Sequence, residues 1–156
     1  MRLSANLGFL WPELPLCDRF AAAARAGFRA VELHWPYDER ASTVRRAAED
    51  AGVLILALNS PRGNVAGGEF GMACLPGRER EFRDGVAMAF DYARMIGAGA
   101  VHVMAGIPGD AVEWRDCLIE NLRHAADAAG PLTVLIEALN TSDNPGYAYA
   151  TMAQAD

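Results

Sequence analysis

A chain of 156 residues, 52% hydrophobic and 22% charged, is long enough for one ordinary domain with a real core and is globular in composition, not disordered. Its net charge of −6, with all 14 basic residues arginine, argues against a nucleic-acid surface, which needs a basic face, and excludes Schiff-base catalysis by this segment, which needs a lysine amine. No apolar run approaches the roughly 18 to 20 residues that span a bilayer, and "MRLSANLGFLWPEL" has one basic residue and an early proline, so neither membrane nor signal peptide is expected and the expected address is the cytoplasm.

Strand and helix patterns alternate along the chain. "RLSANLG" reads as a first strand, and "LCDRFAAAARAG" as a first helix stopped by Gly27. "AVELHW" is a second strand, and "ASTVRRAAEDAG" a second helix, with Ser42 or Thr43 near its start and Gly52 at its end. "VLILALN" is a third strand. The long polar loop "SPRGNVAGGEFGMACLPG" follows, then a helix from about Glu79 to Ile96. "AVHVMAG" gives a fourth strand, "AVEWRDCLIENLRHAADAAG" a fourth helix and "LTVLIEALN" a fifth strand; the last residues read as the start of another helix. Cys17, Cys74 and Cys117 form no CxxC pair and read as reduced, small core residues.

Strands separated by helices of this length imply parallel βαβ units. No linker or charge block divides them, so residues 1–156 read as a single domain. Two architectures fit: an open doubly wound sheet, or part of a closed (β/α)8 barrel. No GxGxxG follows the first strand, which weakens a dinucleotide-binding reading.

Alternation within the strands separates the two. Leu3, Ala5 and Leu7 share one face and Ser4 and Asn6 the other; Val31 and Leu33 oppose Glu32 and His34; Val101 and Val103 oppose His102 and Met104. In the third strand Leu54, Leu56 and Leu58 oppose Val53, Ile55, Ala57 and Asn59. In the fifth, Val134 and Ile136 oppose Thr133, Leu135 and Glu137. The first-named set on each strand is the aliphatic face expected under helices, and the other face turns polar toward its carboxyl end. A sheet covered on both sides favours apolar residues on both faces, whereas a barrel opens its active site at the carboxyl ends of its strands. The expected fold is therefore a partial (β/α)8 barrel of about five parallel strands with helices outside, its mouth lined by Asn6, Glu32, His34, Asn59, His102 and Glu137.

The segments "LSANLGFLW", "FRAVELHWPYD", "GMACLPGREREFRDGV", "YARMIGA", "LIENLRHAADAAG" and "VLIEALNTSDNPGY" resemble the hydroxypyruvate isomerase family of xylose isomerase-like TIM barrels, in order and over essentially all of the chain. The resemblance implies that the glutamate of the family's "IEPIN" motif, here "IEALN" with Ala138 in place of proline, is catalytic and binds a divalent metal. That role falls on Glu137, and Mg²⁺ or Mn²⁺ suits its hard oxygens. The family's other metal ligands and second catalytic glutamate come from strands six to eight. The chain is accordingly expected to be the amino-terminal part of such an enzyme, with an incomplete metal site. It is also expected to self-associate or to pair with a carboxyl-terminal piece.

An aldose–ketose interconversion needs a base to move a proton between adjacent carbons. A buried structural ion pair is the competing reading of Glu137. His102, Asn59, Arg62, Glu69, His34 and Asn6 are the candidate contacts for a small-molecule substrate. Of these, Arg62 and Glu69 belong to the loop "PRGNVAGGEFG", either a lid or an ordinary connection. Glu32 and His34 are also placed to pair with each other, Trp11, Trp35 and Phe70 offer apolar walls, and His124 falls within a helix. A ketose epimerase or 2-oxo-tetronate isomerase is the near alternative. An abasic-site endonuclease, disfavoured by charge, is the distant one, and the 156-residue chain taken by itself is expected to be an inactive fragment sooner than an active enzyme.

Overall fold

The computed structural model describes residues 3–156. The elements are β1 (Ala5–Asn6), α1 (Leu16–Arg25), β2 (Ala30–Glu32), α2 (Ala41–Ala51), β3 (Leu54–Asn59), a 3-10 turn (Val65–Gly67), α3 (Glu79–Ile96), β4 (Ala100–His102), α4 (Trp114–Ala129), β5 (Thr133–Leu135) and α5 (Met152–Ala155). The five strands lie in sequence order, β1-β2-β3-β4-β5. A doubly wound sheet reverses its order at a switch point; an unbroken order is what a barrel wall requires. Ala5 pairs with Val31 and Asn6 with Glu32, while Ala30 and Val31 pair with Leu54 and Ile55 before a one-residue shift sets Glu32 against Ala57.

Contacts divide the described chain into two compact units, residues 1–59 with 89–101, and residues 60–88 with 102–156. In the first, Ala5, Leu7, Phe20, Ala23, Val31, Leu33, Val44, Phe90 and Val101 are each 2% exposed or less and form the core. Fully burying a side chain of this size stabilises by about 1.5–3 kcal/mol. Helix α1 lies against α2, burying Phe20, Ala22 and Ala23 on one side and Val44 and Ala48 on the other. The Tyr92 hydroxyl donates to the carbonyls of Pro36 (2.9 Å) and Glu39 (3.0 Å), tying α3 to the segment after β2.

In the second unit, Met72, Ala73, Cys74, Phe82, Val86, Met104, Ala105, Ala125 and Ala129 are buried. Asn121, fully buried on α4, donates from Nδ2 to the Ala73 carbonyl at 2.9 Å. The root of the loop after β3 is stitched to the end of β4: Gly71 forms an antiparallel bridge with Ala105, and Cys74 N–H donates to Ala105 O at 2.8 Å. Glycine is required on both sides of this stitch. A Cβ on Gly71 would lie 2.5 Å from Met104 O, and one on Gly106 2.5 Å from Gly71 O; both residues have positive φ, 122° and 107°.

Glycines mark these helix ends: Gly52 closes α2 in the left-handed region (φ 66°), and Gly27 (φ 92°) comes directly after Ala26, the cap of α1. Ser42 and Thr43 lie inside α2 and do not cap it, Arg40 being the cap. Face assignments need correcting in three of the expected strands. Leu54 and Leu56 are 69% and 42% exposed, whereas Val53, Ile55 and Ala57 are buried. Because Ile55 is in register with buried Val31, the packed face of the first half of β3 is the opposite of the one alternation selects; beyond the register shift Leu58 is fully buried, as alternation has it. Strand β3 is apolar on both faces, so period two carries no sign there. Leu3, grouped with Ala5 and Leu7, is also exposed, at 62%, and in β5 neither face is buried.

Candidate active site

Asn6, Glu32, Asn59 and His102 are each the last residue of β1, β2, β3 and β4; His34 and Glu137 follow the ends of β2 and β5 by two residues. All six thus sit at carboxyl ends of parallel strands, where βα-loops build sites.

In the first unit, Asn6 turns the chain: its Oδ1 accepts from Gly8 N–H at 2.9 Å. Glu32 accepts a close hydrogen bond from the Ser4 hydroxyl, a partner different from the His34 that the sequence offers. The His34 ring stands edge-on to Phe9 (4.6 Å between centroids) and tilted to Trp35 (5.0 Å). It leaves no space above Gly8, where a Cβ would lie 2.1 Å from the imidazole. Asn59 is held through its backbone, its N–H donating to His34 O at 2.9 Å and its carbonyl accepting from the Tyr37 hydroxyl. A pocket of about 350 Å³ opens here between Leu7, Arg19, His34, Trp35 and Glu39. Trp11 packs edgewise on Phe28.

In the second unit, His102 Nδ1 lies 3.6 Å from Glu137 Oε2. The imidazole is 8% exposed and the carboxylate 65%, so a buried ring backs an acid that faces solvent. The backbone here is fixed by Val103 N–H donating to Leu135 O (2.9 Å) and Ser60 N–H to His102 O (2.8 Å). Tyr147 and Tyr149 are both buried, their rings edge to face at 5.5 Å. Burial pushes the Tyr149 phenol up to about 12 and the Tyr147 phenol higher still, with the Glu137 charge a smaller contributor to both.

Arg62 and Glu69 lie in the same loop and have separate tasks in it. Arg62 O accepts from Gly71 N–H at 2.9 Å. The Glu69 carboxylate is held in a close ion pair with Arg78 and accepts from Asn64 N–H at 2.6 Å. Partial burial raises its pKa, but the Asn64 and Arg78 hydrogen bonds outweigh it and hold the group below the usual carboxylate range. His124 is half-buried on α4.

Among the described residues no group of three or more His, Cys, Asp or Glu side chains gathers as a metal cage. Glu137 supplies one exposed carboxylate, and the residues present do not by themselves fit a divalent cation, which takes six or more oxygens. Sequence reasoning missed Ser60, whose Oγ accepts from Met104 N–H at 3.0 Å, along with Arg78, Tyr147 and Tyr149. The alternating "YAY" after Gly146 was the available signal for the tyrosines.

A parallel sheet in unbroken order, with its polar groups at the carboxyl ends of the strands, defines a barrel-type enzyme scaffold. The model of the xylose isomerase-like TIM barrel family matches residues 20–156, and the chain belongs to that family. It is 46% identical over 151 residues to a 2-oxo-tetronate isomerase of Cupriavidus necator, covering 94% of this chain and 58% of that protein. It is 41% identical over 166 residues to a Mus musculus protein provisionally named hydroxypyruvate isomerase, covering 99% of this chain and 60% of that one. Among solved structures, a Brucella melitensis protein described as an AP endonuclease of family 2 superposes with a TM-score of 0.89 at 41% identity, over 94% of this chain and 58% of its own. The chain spans 58% to 60% of the length of these curated relatives.

Proposed function

We propose that this chain carries the Glu137 half-site of an isomerase acting on a small hydroxy-keto acid, of the hydroxypyruvate or 2-oxo-tetronate kind. The observation that carries this reading is Glu137 itself: a carboxylate 65% exposed just past β5, with His102 Nδ1 at 3.6 Å behind it. An exposed acid at a strand's carboxyl end is placed to meet substrate, and an arm of a structural ion pair would be buried with its partner. The relatives' names supply the substrate class.

In this reading Glu137 takes the proton from the hydroxyl-bearing carbon beside the substrate carbonyl. The C–H electron pair moves into an enediolate as the carbonyl oxygen takes up the charge; Glu137 then returns the proton to the former carbonyl carbon while the hydroxyl proton passes to the former carbonyl oxygen, which exchanges the carbonyl and hydroxyl positions. His102, its Nδ1 3.6 Å from the carboxylate, backs the side chain on its buried side. A divalent cation, were one held with Glu137 among its ligands, would supply the charge that polarises the substrate oxygens. Asn59, Arg62, Glu69, His34 and Asn6 stand as substrate-contact proposals, with Glu69 first having to exchange Arg78 for the substrate. A cytoplasmic address also belongs to this reading; among the described residues no helix is long and apolar enough to cross a membrane.

The Brucella protein's description raises a nucleic-acid reading. A chain of net charge −6 lacks the cationic excess with which phosphate backbones are neutralised. A coupled assay on hydroxypyruvate and 2-oxo-tetronate, with Mg²⁺ or Mn²⁺ and after chelation, run beside an abasic duplex at low salt, tests both readings. Turnover of either acid that chelation abolishes supports the isomerase. Cleavage of the duplex with neither acid turned over refutes it.

A further inference from the structure

Glu137 lies beyond the last paired residue of β5, on a stretch where both strand faces are open. What holds it in place is therefore not the sheet alone. Upstream, Val103 N–H donates to Leu135 O at 2.9 Å; downstream, Leu139 N–H donates to Tyr149 O at 3.2 Å. The segment bearing Tyr149 is itself fastened to the end of β4, through Ala148 N–H to Gly106 O at 3.0 Å. One side chain completes the attachment: the buried Tyr147 hydroxyl accepts from Ala105 N–H at 2.8 Å. Ala105 also bridges Gly71 on its other side, so the same short stretch is gripped by both loops. The Phe70 ring stands edge to face with Tyr147 at 6.4 Å, which brings the loop after β3 against the same tyrosine.

We propose that Tyr147 is a positioning residue for Glu137: its hydroxyl on Ala105 N–H, with the flanking Ala148–Gly106 and Leu139–Tyr149 backbone pairs, clasps the Glu137 segment to the end of β4. The inference rests on the reading of Glu137 as the reacting base. A tyrosine is suited to the task because its ring fills the buried space while its oxygen satisfies an amide that β4 pairing has left behind.

The test is residue-resolved amide exchange on the full chain, comparing wild type, Tyr147→Phe, and Tyr92→Phe as a matched loss of a buried hydroxyl in the other unit. Tyr147→Phe should raise exchange at Ala105 and Leu139 by about tenfold, the size of one lost hydrogen bond, with α1 and α2 amides unchanged. Tyr92→Phe should leave Leu139 as it was. In the active isomerase, Tyr147→Phe should lower kcat by about 10- to 100-fold, as misplacement of a reacting group does, at nearly constant KM. Unchanged exchange at Leu139, or a uniform rise at all amides, overturns the proposal, as does full turnover despite the local exchange. If Tyr147→Phe folds poorly, Phe70→Leu must give the same local pattern in smaller measure, and no local pattern there overturns it too. The local pattern in a protein that turns over neither acid refutes the isomerase reading and upholds the clasp.

Discussion

At the scale of single residues, the argument turns on where charge is left exposed. Glu137→Gln keeps the shape of the side chain but removes proton affinity at neutral pH and weakens it as a ligand for a hard cation. Loss of a general base lowers rate by about 10²–10⁴. Because the carboxylate is 65% exposed, its pairing with His102 is screened, and stability should change by about 1 kcal/mol or less. Measuring kcat and thermal unfolding on the same variant decides the matter: near-normal turnover in a destabilised protein would make Glu137 a structural arm. The buried thiols give a second prediction. Burial pushes Cys74 up to about 12 and Cys117 up to about 11 from an ordinary 9.0, with nearby negative charge adding to both. Between those values the folded protein keeps protons that the unfolded chain releases, so their contribution to stability is present below pH 9 and is lost as pH rises toward 11 and 12. Urea unfolding at pH 7, 9 and 10.5 should show a falling midpoint, reduced when Cys74 and Cys117 are both replaced by Ala. An equal fall in the double variant would assign the effect to the tyrosines.

At the scale of elements, the loop after β3 is rooted by Gly71 and Gly106 facing one another across the end of β4. Gly71→Ala places a Cβ 2.5 Å from Met104 O at a φ of 122°. Backbone on both sides cannot yield cheaply, so a loss of about 2 kcal/mol or more is expected, with proteolysis appearing first between residues 62 and 71. A variant as stable as wild type would show that the stitch is dispensable. The same elements show what a sequence reveals. Helix ends at Gly27 and Gly52 were legible because glycine stops a helix by a local rule, and Asn6, Glu32, Asn59, His102 and Glu137 were legible because a polar group ending an apolar run needs a reason. The packed face of β3 was not legible, since Leu-Ile-Leu-Ala is apolar on both sides and register, a long-range property, chooses between them. Nor was the Arg78–Glu69 pair, whose members lie in a charge-rich stretch that reads equally well as a solvated surface. The tyrosine clasp depends on residues ten positions after Glu137 folding back on β4, which no local pattern encodes.

At the scale of the whole molecule, exposed apolar side chains recur in both units: Leu3, Leu54 and Leu56 in the first, Leu135, Ile136 and Val112 in the second. Scattered apolar groups are normal on a surface, but strand side chains two apart on one face form a stripe. In β3 that stripe is Leu54 and Leu56, at 69% and 42% exposure, and β5, at the end of the strand order, exposes Leu135, with exposed Ile136 just past it. Covering such groups releases about 25 cal/mol per Å² of apolar surface, so association with a second copy is the expected resolution. Light scattering should therefore show association at tens of micromolar, on the order where exposed strand edges find one another. Replacing Leu54 and Leu56 together by Gln should weaken that association while leaving the fold intact, because neither side chain lies in the buried core. If the wild-type chain is a stable monomer at that concentration, these leucines face solvent without consequence. If instead the double variant associates as strongly as wild type, contact runs through β5, and Leu135→Gln with Ile136→Gln becomes the pair that must abolish it.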